Sequence, residues 1–240
     1  MMARPRSVDV NGDTRERILA EAARLFSELG YHGASTRAIT EAVGIKQPSL
    51  FHYFAGKEAI GQELIDRRVT MSPLLSDRFV PTPDDPALDL FRLIRDETTV
   101  ELEMSLDTRW LFRLPPATSE LFPRWEATLA AATATTEHVI RRGIESGDFI
   151  AEHPRVVREI FDAVANESMF WPHDTQGLQP EVIAKVLLRL VITDASTIAA
   201  VAERAKATAP LHEAPTGEAP TEEAPTGEAP TGEAPTSEAG

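Results

Sequence analysis

Cysteine is absent from the 240 residues, which excludes disulfides, thiolate metal sites and a cysteine nucleophile. No apolar stretch approaches the ~20 residues of a membrane-spanning helix. Met1 to Asn11 lacks the apolar core of a signal peptide, so the chain is expected to be soluble and cytoplasmic. Catalytic signatures are missing as well: there is no G-x-S-x-G, no Cys/His pair, no H-E-x-x-H and no phosphate-cradling glycine loop. His153, His173 and Asp174 do not have ligand spacing on a helix. Neither a metal nor a cofactor is expected, and the chain is not read as an enzyme. Strand-like alternation is essentially absent, which leaves an all-α fold.

Net positive charge is also lacking: 24 Lys+Arg face 38 Asp+Glu, a net of −14. The excess is unevenly spread. Residues 1–57 carry eight Lys/Arg against six Asp/Glu, a net of +2, whereas the tail from His212 carries seven Glu and no Lys or Arg. Local sign near a nucleic-acid groove matters more than the total, so the acidity does not exclude a DNA partner. Arg4 and Arg6 sit on an N-terminal arm, residues 1–12, that reads either as a minor-groove or phosphate reach or as a solvated leader.

Residues 13–60 hold the densest information. From Asp13 to Leu29 the apolar positions Ile18, Ala22, Leu25, Phe26 and Leu29 recur at spacings of three and four, one stripe of a helix. Asp13 or Thr14 can cap it and Gly30 ends it. Ser35 is the expected N-cap of a second helix with Ile39, Ala42 and Val43 inward. Gly44 supplies the tight turn, and Gln47 to Phe54 form a short third helix that tolerates Pro48 in its first turn. Gly56 and Lys57 open a fourth.

A helix, a glycine turn and a second helix form a helix-turn-helix, which presents the second helix to major-groove base edges. Gln47 suits an adenine edge and Arg37 a guanine, while Pro48 and Phe51 offer apolar surface to a thymine methyl. Phe51 also reads as partly core. Thr36, Ser49, His52, Tyr53 and Lys57 are phosphate-type donors, which set register. Double-stranded DNA is therefore the expected partner.

These residues resemble the DNA-binding domain of the tetracycline-repressor (TetR) family of bacterial transcription regulators. The resemblance is carried by Phe26, Gly30-Tyr31, Ser35 to Ile39, Gly44-Ile45, Leu50-Phe51-His52-Tyr53-Phe54 and Lys57-Glu58. It implies base contacts for Arg37, Gln47, Pro48 and Phe51. Three positions depart from the family pattern. Phe51 replaces a Tyr and loses its hydroxyl contact. Lys46 replaces a Ser-type cap and is expected to reach DNA bases instead. Gly56 replaces a Ser cap.

Beyond the head, residues 61–208 read as a helical body. The fourth helix is expected to run to about Asp77, with Asp66, Arg67 and Arg68 as a charged face. Others follow from Ala87 to Leu106, around Trp110 and Phe112 up to Pro115-Pro116, from Glu120 to Ser146, from Pro154 to Phe170 and from Pro180 to Arg204. The last has too many apolar positions for one stripe and needs a second partner. The resemblance implies that this partner is a second copy of the chain, with Ile160, Val164, Val186, Leu187, Leu190, Val191, Ile198 and Val201 at a homodimer interface. It also implies a pocket for a small-molecule effector. Candidates to line it are Met104, Trp110, Phe112, Trp125, His138, Phe161, Asn166, Phe170 and Trp171; against this stands ordinary core for the aromatics and a solvated or satisfied histidine for His138. Arg109 and Arg113 read either as carboxylate or acyl-CoA phosphate binders or as surface ion pairs. The function implied is a transcriptional repressor released from a palindromic operator by its effector. The alternative is a sensor or interaction protein of the same fold that activates, or that acts without effector-controlled release.

Residues 209–240 end in five EAPT repeats from Glu213, with proline every fifth residue. That forbids a helix and leaves little to bury, so the tail is expected to be disordered and extended. It reads as a solubilising tail, or as seven glutamates competing with DNA phosphate for the basic head. On the second reading, truncation after Thr208 tightens DNA binding at low salt. Unchanged affinity in a titration at 50–100 mM salt, about the range where phosphate contacts dominate, sinks it.

Overall fold

The structure, a computed structural model, describes residues 10–76, 78–115, 118, 120–168, 170 and 179–210. Among them all regular structure is helical apart from one isolated bridge between Phe149 and Ile192. The N-terminal arm, Trp171 and the EAPT tail lie outside the described residues.

Local signals place most of the head. α1, Val10–Gly33, is broken at Gly30 (φ 73°, ψ 160°), the residue expected to end it. It starts three residues before Asp13, so Asp13 and Thr14 lie inside it rather than capping it. Ser35 caps α2, Thr36–Val43, by accepting from the Ala38 amide at 3.1 Å, and Gly44 closes it in the left-handed region (φ 75°). α3, Gln47–Tyr53, takes Pro48 in its first turn, and no side chain caps it. α4, Lys57–Met71, stops well short of Asp77. Pro73 restricts the residue before it. Glu97 then fixes the turn by accepting from Ser72 Oγ at 2.6 Å and the Leu74 amide at 2.9 Å.

In the body, α5 spans Pro86–Glu103, capped by Asp85, and a 3₁₀ turn follows at Arg109–Arg113. α6 is Pro123–Ser146, ended by left-handed Gly147 (φ 85°), and α7 is Pro154–Ser168. The single last helix expected from Pro180 to Arg204 is instead two. α8, Pro180–Leu188, is followed by a break and a short 3₁₀ turn, then α9, Ile198–Lys206. The β-branched run Val191-Ile192-Thr193 leaves the helix and pairs with the segment after α6: Ile150 N donates to Val191 O and Thr193 N to Asp148 O, both at 2.8 Å. Asp194 then caps the following turn through the Ser196 amide.

This break corrects the interface expectation. The apolar excess at the C-terminus packs largely on α5 of the same chain. Leu187, Val191, Ile198 and Val201 are buried in the protomer's own core. Ile160, Val186 and Leu190 remain exposed, and Val164 is half-buried against that core.

Two apolar cores result. One joins α1 to α4 with Trp110, Leu111, Phe122 and Trp125; the other joins α5 to α9 with Phe149. The head's core therefore runs past residue 60, through Leu64, Ile65 and Val69 of α4.

Candidate nucleic-acid interface

The turn between α2 and α3 sorts their side chains cleanly. Ile39, Val43 and Leu50 go into the core, while Arg37, Lys46, Gln47, Pro48, Ser49, Phe51 and His52 stay exposed and Thr36 and Tyr53 are half-buried. Phe51 settles its two readings: it is 51 % exposed on the outer side of α3, where a core aromatic would be covered. Gln47 Nε2 donates to Thr36 Oγ1 at 3.2 Å, which links the start of the two helices. Arg37 Nε donates to Glu41 Oε1 at 2.9 Å. That pair is exposed, and exposed i,i+4 pairs are worth only ~0.3–0.5 kcal/mol. A guanine edge, worth ~1–3 kcal/mol in discrimination, outbids it.

Lys57 is placed differently from expectation. Its ammonium donates to Tyr31 O at 2.8 Å and Ala34 O at 3.0 Å, and lies 4.4 Å from the Tyr31 ring centroid. It holds the carbonyl end of α1, where a cation is favoured, rather than offering itself to phosphate. Burial pushes its pKa down, with Glu58 opposing, and burial pushes the Tyr31 phenol up to about 12. Lys57→Met is therefore expected to destabilise the head by about 1–3 kcal/mol, the range for hydrogen bonds to a charged group, without changing the salt slope of DNA binding. A slope reduced by about one with an unmoved melting temperature would restore the phosphate role.

The α2–α3 geometry has sequence counterparts. Residues 18–64 match the profile "Bacterial regulatory proteins, tetR family". The HTH-type transcriptional regulator UidR of Escherichia coli (strain K12) is 46 % identical over 52 residues, 22 % of this chain and 26 % of UidR. The HTH-type transcriptional repressor AcnR of Corynebacterium glutamicum is 44 % identical over 46 residues, 19 % of this chain and 24 % of AcnR. Residues 18–64 therefore carry a tetR-family domain. These matches span about a quarter of each relative's length. The crystal structure of Mycobacterium smegmatis AmtR aligns over 88 % of this chain and 100 % of its own, with a TM-score of 0.64 and 24 % identity, so the helical body shares that fold.

The helical body holds a cavity of about 420 Å³ between α4, α5, α6, α7 and α8. Of the residues expected to line a pocket, Phe112, Phe161 and Asn166 do so. Trp110 and Trp125 instead belong to the head-side core. Trp110 stacks on Tyr31 (15°, 5.7 Å) and meets Phe26 and Phe122 edge-on, and Trp125 meets Phe112 edge-on at 5.4 Å. Met104 accepts from Thr108 Oγ1, His138 is exposed on α6, and Phe170 joins Trp110 at a separate cleft. Arg109 pairs with Asp107 at 2.6 Å, and Arg113 lies over the Phe170 ring with Glu167 at 3.5 Å, which favours the ion-pair reading of both.

Sequence reasoning missed the cavity's polar wall. Arg68, expected on a charged face of α4 with Asp66 and Arg67, is 2 % exposed. A signal was available, because Arg68 follows Leu64 by four and Ile65 by three and so shares their buried side. Glu97, Glu101, Arg158 and Asp162 complete that wall.

Proposed function

We propose that the protein is a dimeric, sequence-specific transcriptional repressor, acting in the cytoplasm, that a small-molecule effector releases from a palindromic operator. Residues 13–60 engage DNA and residues 61–208 sense the effector and dimerise. The observation that carries this reading is the exposed face of α3, where Gln47, Pro48 and Phe51 stand clear of a core that holds Leu50. Nothing in the core requires an exposed aromatic there, whereas a major groove offers thymine methyls to it. The name of AcnR as a repressor supports the sign of regulation.

The effector site in this reading is the 420 Å³ cavity, within the usual size range of ligand pockets. Arg68 lines it from α4, and the same helix begins at Lys57, which grips the end of α1. A ligand that favours one position of α4 thereby changes the placement of the head. Release requires only that it bind one dimer spacing better than the other.

Gln47→Ala and Arg37→Ala are each expected to relax preference at one base per half-site, costing ~1–3 kcal/mol on the preferred sequence. Ser49→Ala should weaken all duplexes alike. Binding to a panel of single-base operator variants checks this. Uniform losses in all three proteins would show that base and phosphate contacts are wrongly divided.

A further inference from the structure

The cavity's chemistry centres on Arg68. Its guanidinium places Nη2 3.3 Å from Glu97 Oε2 and 4.0 Å from Glu101 Oε2, while Nε and Nη1 have no hydrogen-bond partner among the described residues. Phe112, itself part of the cavity wall, has its ring centroid 5.5 Å from the guanidinium carbon. A guanidinium carries five N–H donors, and buried donors left without an acceptor are costly. Glu97 cannot turn to serve them, because its other oxygen already accepts from Ser72 Oγ and the Leu74 amide.

Charge decides what can serve them. Arg68 already faces two carboxylates. The second arginine of the wall, Arg158, is likewise matched to Asp162 and Glu159. Burial raises the Asp162 carboxyl above its ordinary value against the pull of Arg158, a sign of poor solvation at this rim. An entering carboxylate or phosphate would add a further negative charge beside Glu97 and Glu101 where water screens little. An ammonium would offer no acceptor to the spare N–H groups and would meet a guanidinium. An uncharged carbonyl accepts from Arg68 without adding charge. The remaining wall is mostly apolar, from Leu90, Ile94 and Phe161 among others, with Thr98, Thr133, Thr136 and Asn166 as its uncharged polar groups.

We infer that the ligand of this cavity is an uncharged, largely apolar molecule with a carbonyl-type acceptor, ketone, ester or lactone, that takes hydrogen bonds from Arg68. The inference rests on the reading of this cavity as the effector site. It goes further by fixing the charge and head group of the occupant.

The test is equilibrium dialysis of the full-length protein against three probes of similar chain length: 2-undecanone, decanoate and decylammonium, each below its aggregation limit at neutral pH. The ketone is expected to bind at least tenfold tighter than either ion. Glu101→Gln, which keeps the side chain's shape, should raise decanoate binding relative to the ketone by about tenfold. Arg68→Met should abolish the ketone's advantage. Because the Arg68 variant can fail to fold, Glu101→Gln carries the decision by itself. Either ion binding as tightly as the ketone, no binding of any probe, or an unchanged ratio in Glu101→Gln overturns the inference. Operator binding measured in parallel separates the two claims. A bound ketone that leaves operator affinity untouched contradicts the effector reading and leaves the ligand class standing. An ion that binds tightest and releases operator does the reverse.

Discussion

Ile160→Glu combined with Val186→Glu is expected to yield a folded monomer that binds an operator no better than random DNA. The two side chains are 59 % and 58 % exposed, on α7 and α8, which pack against each other. Val156 lies one turn before Ile160, and Val182 and Leu190 lie one turn to either side of Val186, all exposed. An aliphatic stripe on two adjacent helices is surface that a second copy can cover through a two-fold axis. Each such side chain gains ~1.5–3 kcal/mol on full burial, and an unpaired buried carboxylate costs ~3–5 kcal/mol, so two glutamates per protomer outweigh the contact. Loss of the second head removes the avidity of linked half-sites, a factor of about 10²–10⁴. Sedimentation equilibrium with circular dichroism checks the first half, and operator titration the second. A variant that stays dimeric with full affinity would place the interface elsewhere.

Gly143→Ala is expected to be the most damaging single methyl in the body. A Cβ at Gly143 would lie 2.1 Å from Cδ2 and 2.4 Å from Cε2 of Phe149, whose ring is 1 % exposed. The ring cannot swing aside freely, because Phe149 N donates to Gly143 O at 2.8 Å and the flanking Asp148 and Ile150 pair with the segment before α9. The cost lies between the ~1–3 kcal/mol of overpacking and the ~3–5 kcal/mol of losing a buried Phe. With each kcal/mol worth roughly 2–4 °C in a chain of this size, the melting temperature should fall by about 5–15 °C. The head, with its own core, keeps its helices. An unchanged melting temperature would mean that Phe149 does not occupy this site.

The second prediction shows where sequence was informative. The sequence shows a long helix running to Ser146, yet only the fold supplies the reason for a glycine at position 143, a ring seated on a bare Cα. At the caps and turns of α2 and α3, sequence and structure agree because the signals are local. Ser35, Gly44 and Pro48 each act within one turn of their own backbone, whereas Phe51 stood open between core and surface until its exposure decided it. Where the reading failed, the deciding partner was distant in sequence. Lys57 read as a phosphate donor because Tyr31 and Ala34 are not visible as its acceptors along the chain. Trp110 and Trp125 stood open between pocket wall and core because their packing against α1 and Phe112 depends on tertiary folding, and the structure places both in the core. The apolar surplus after Pro180 was assigned to a partner chain when α5 supplied the cover. The run Val191-Ile192-Thr193-Asp194, β-branched and then capping, was the local warning that the helix breaks there.

Selection of binding sites from a random duplex library by the purified, ligand-free protein tests the central claim most directly. The account predicts enrichment of a two-fold symmetric sequence, with Gln47→Ala losing preference at one base in each half. No enrichment, or an asymmetric sequence that Gln47→Ala selects just as strongly, would contradict it.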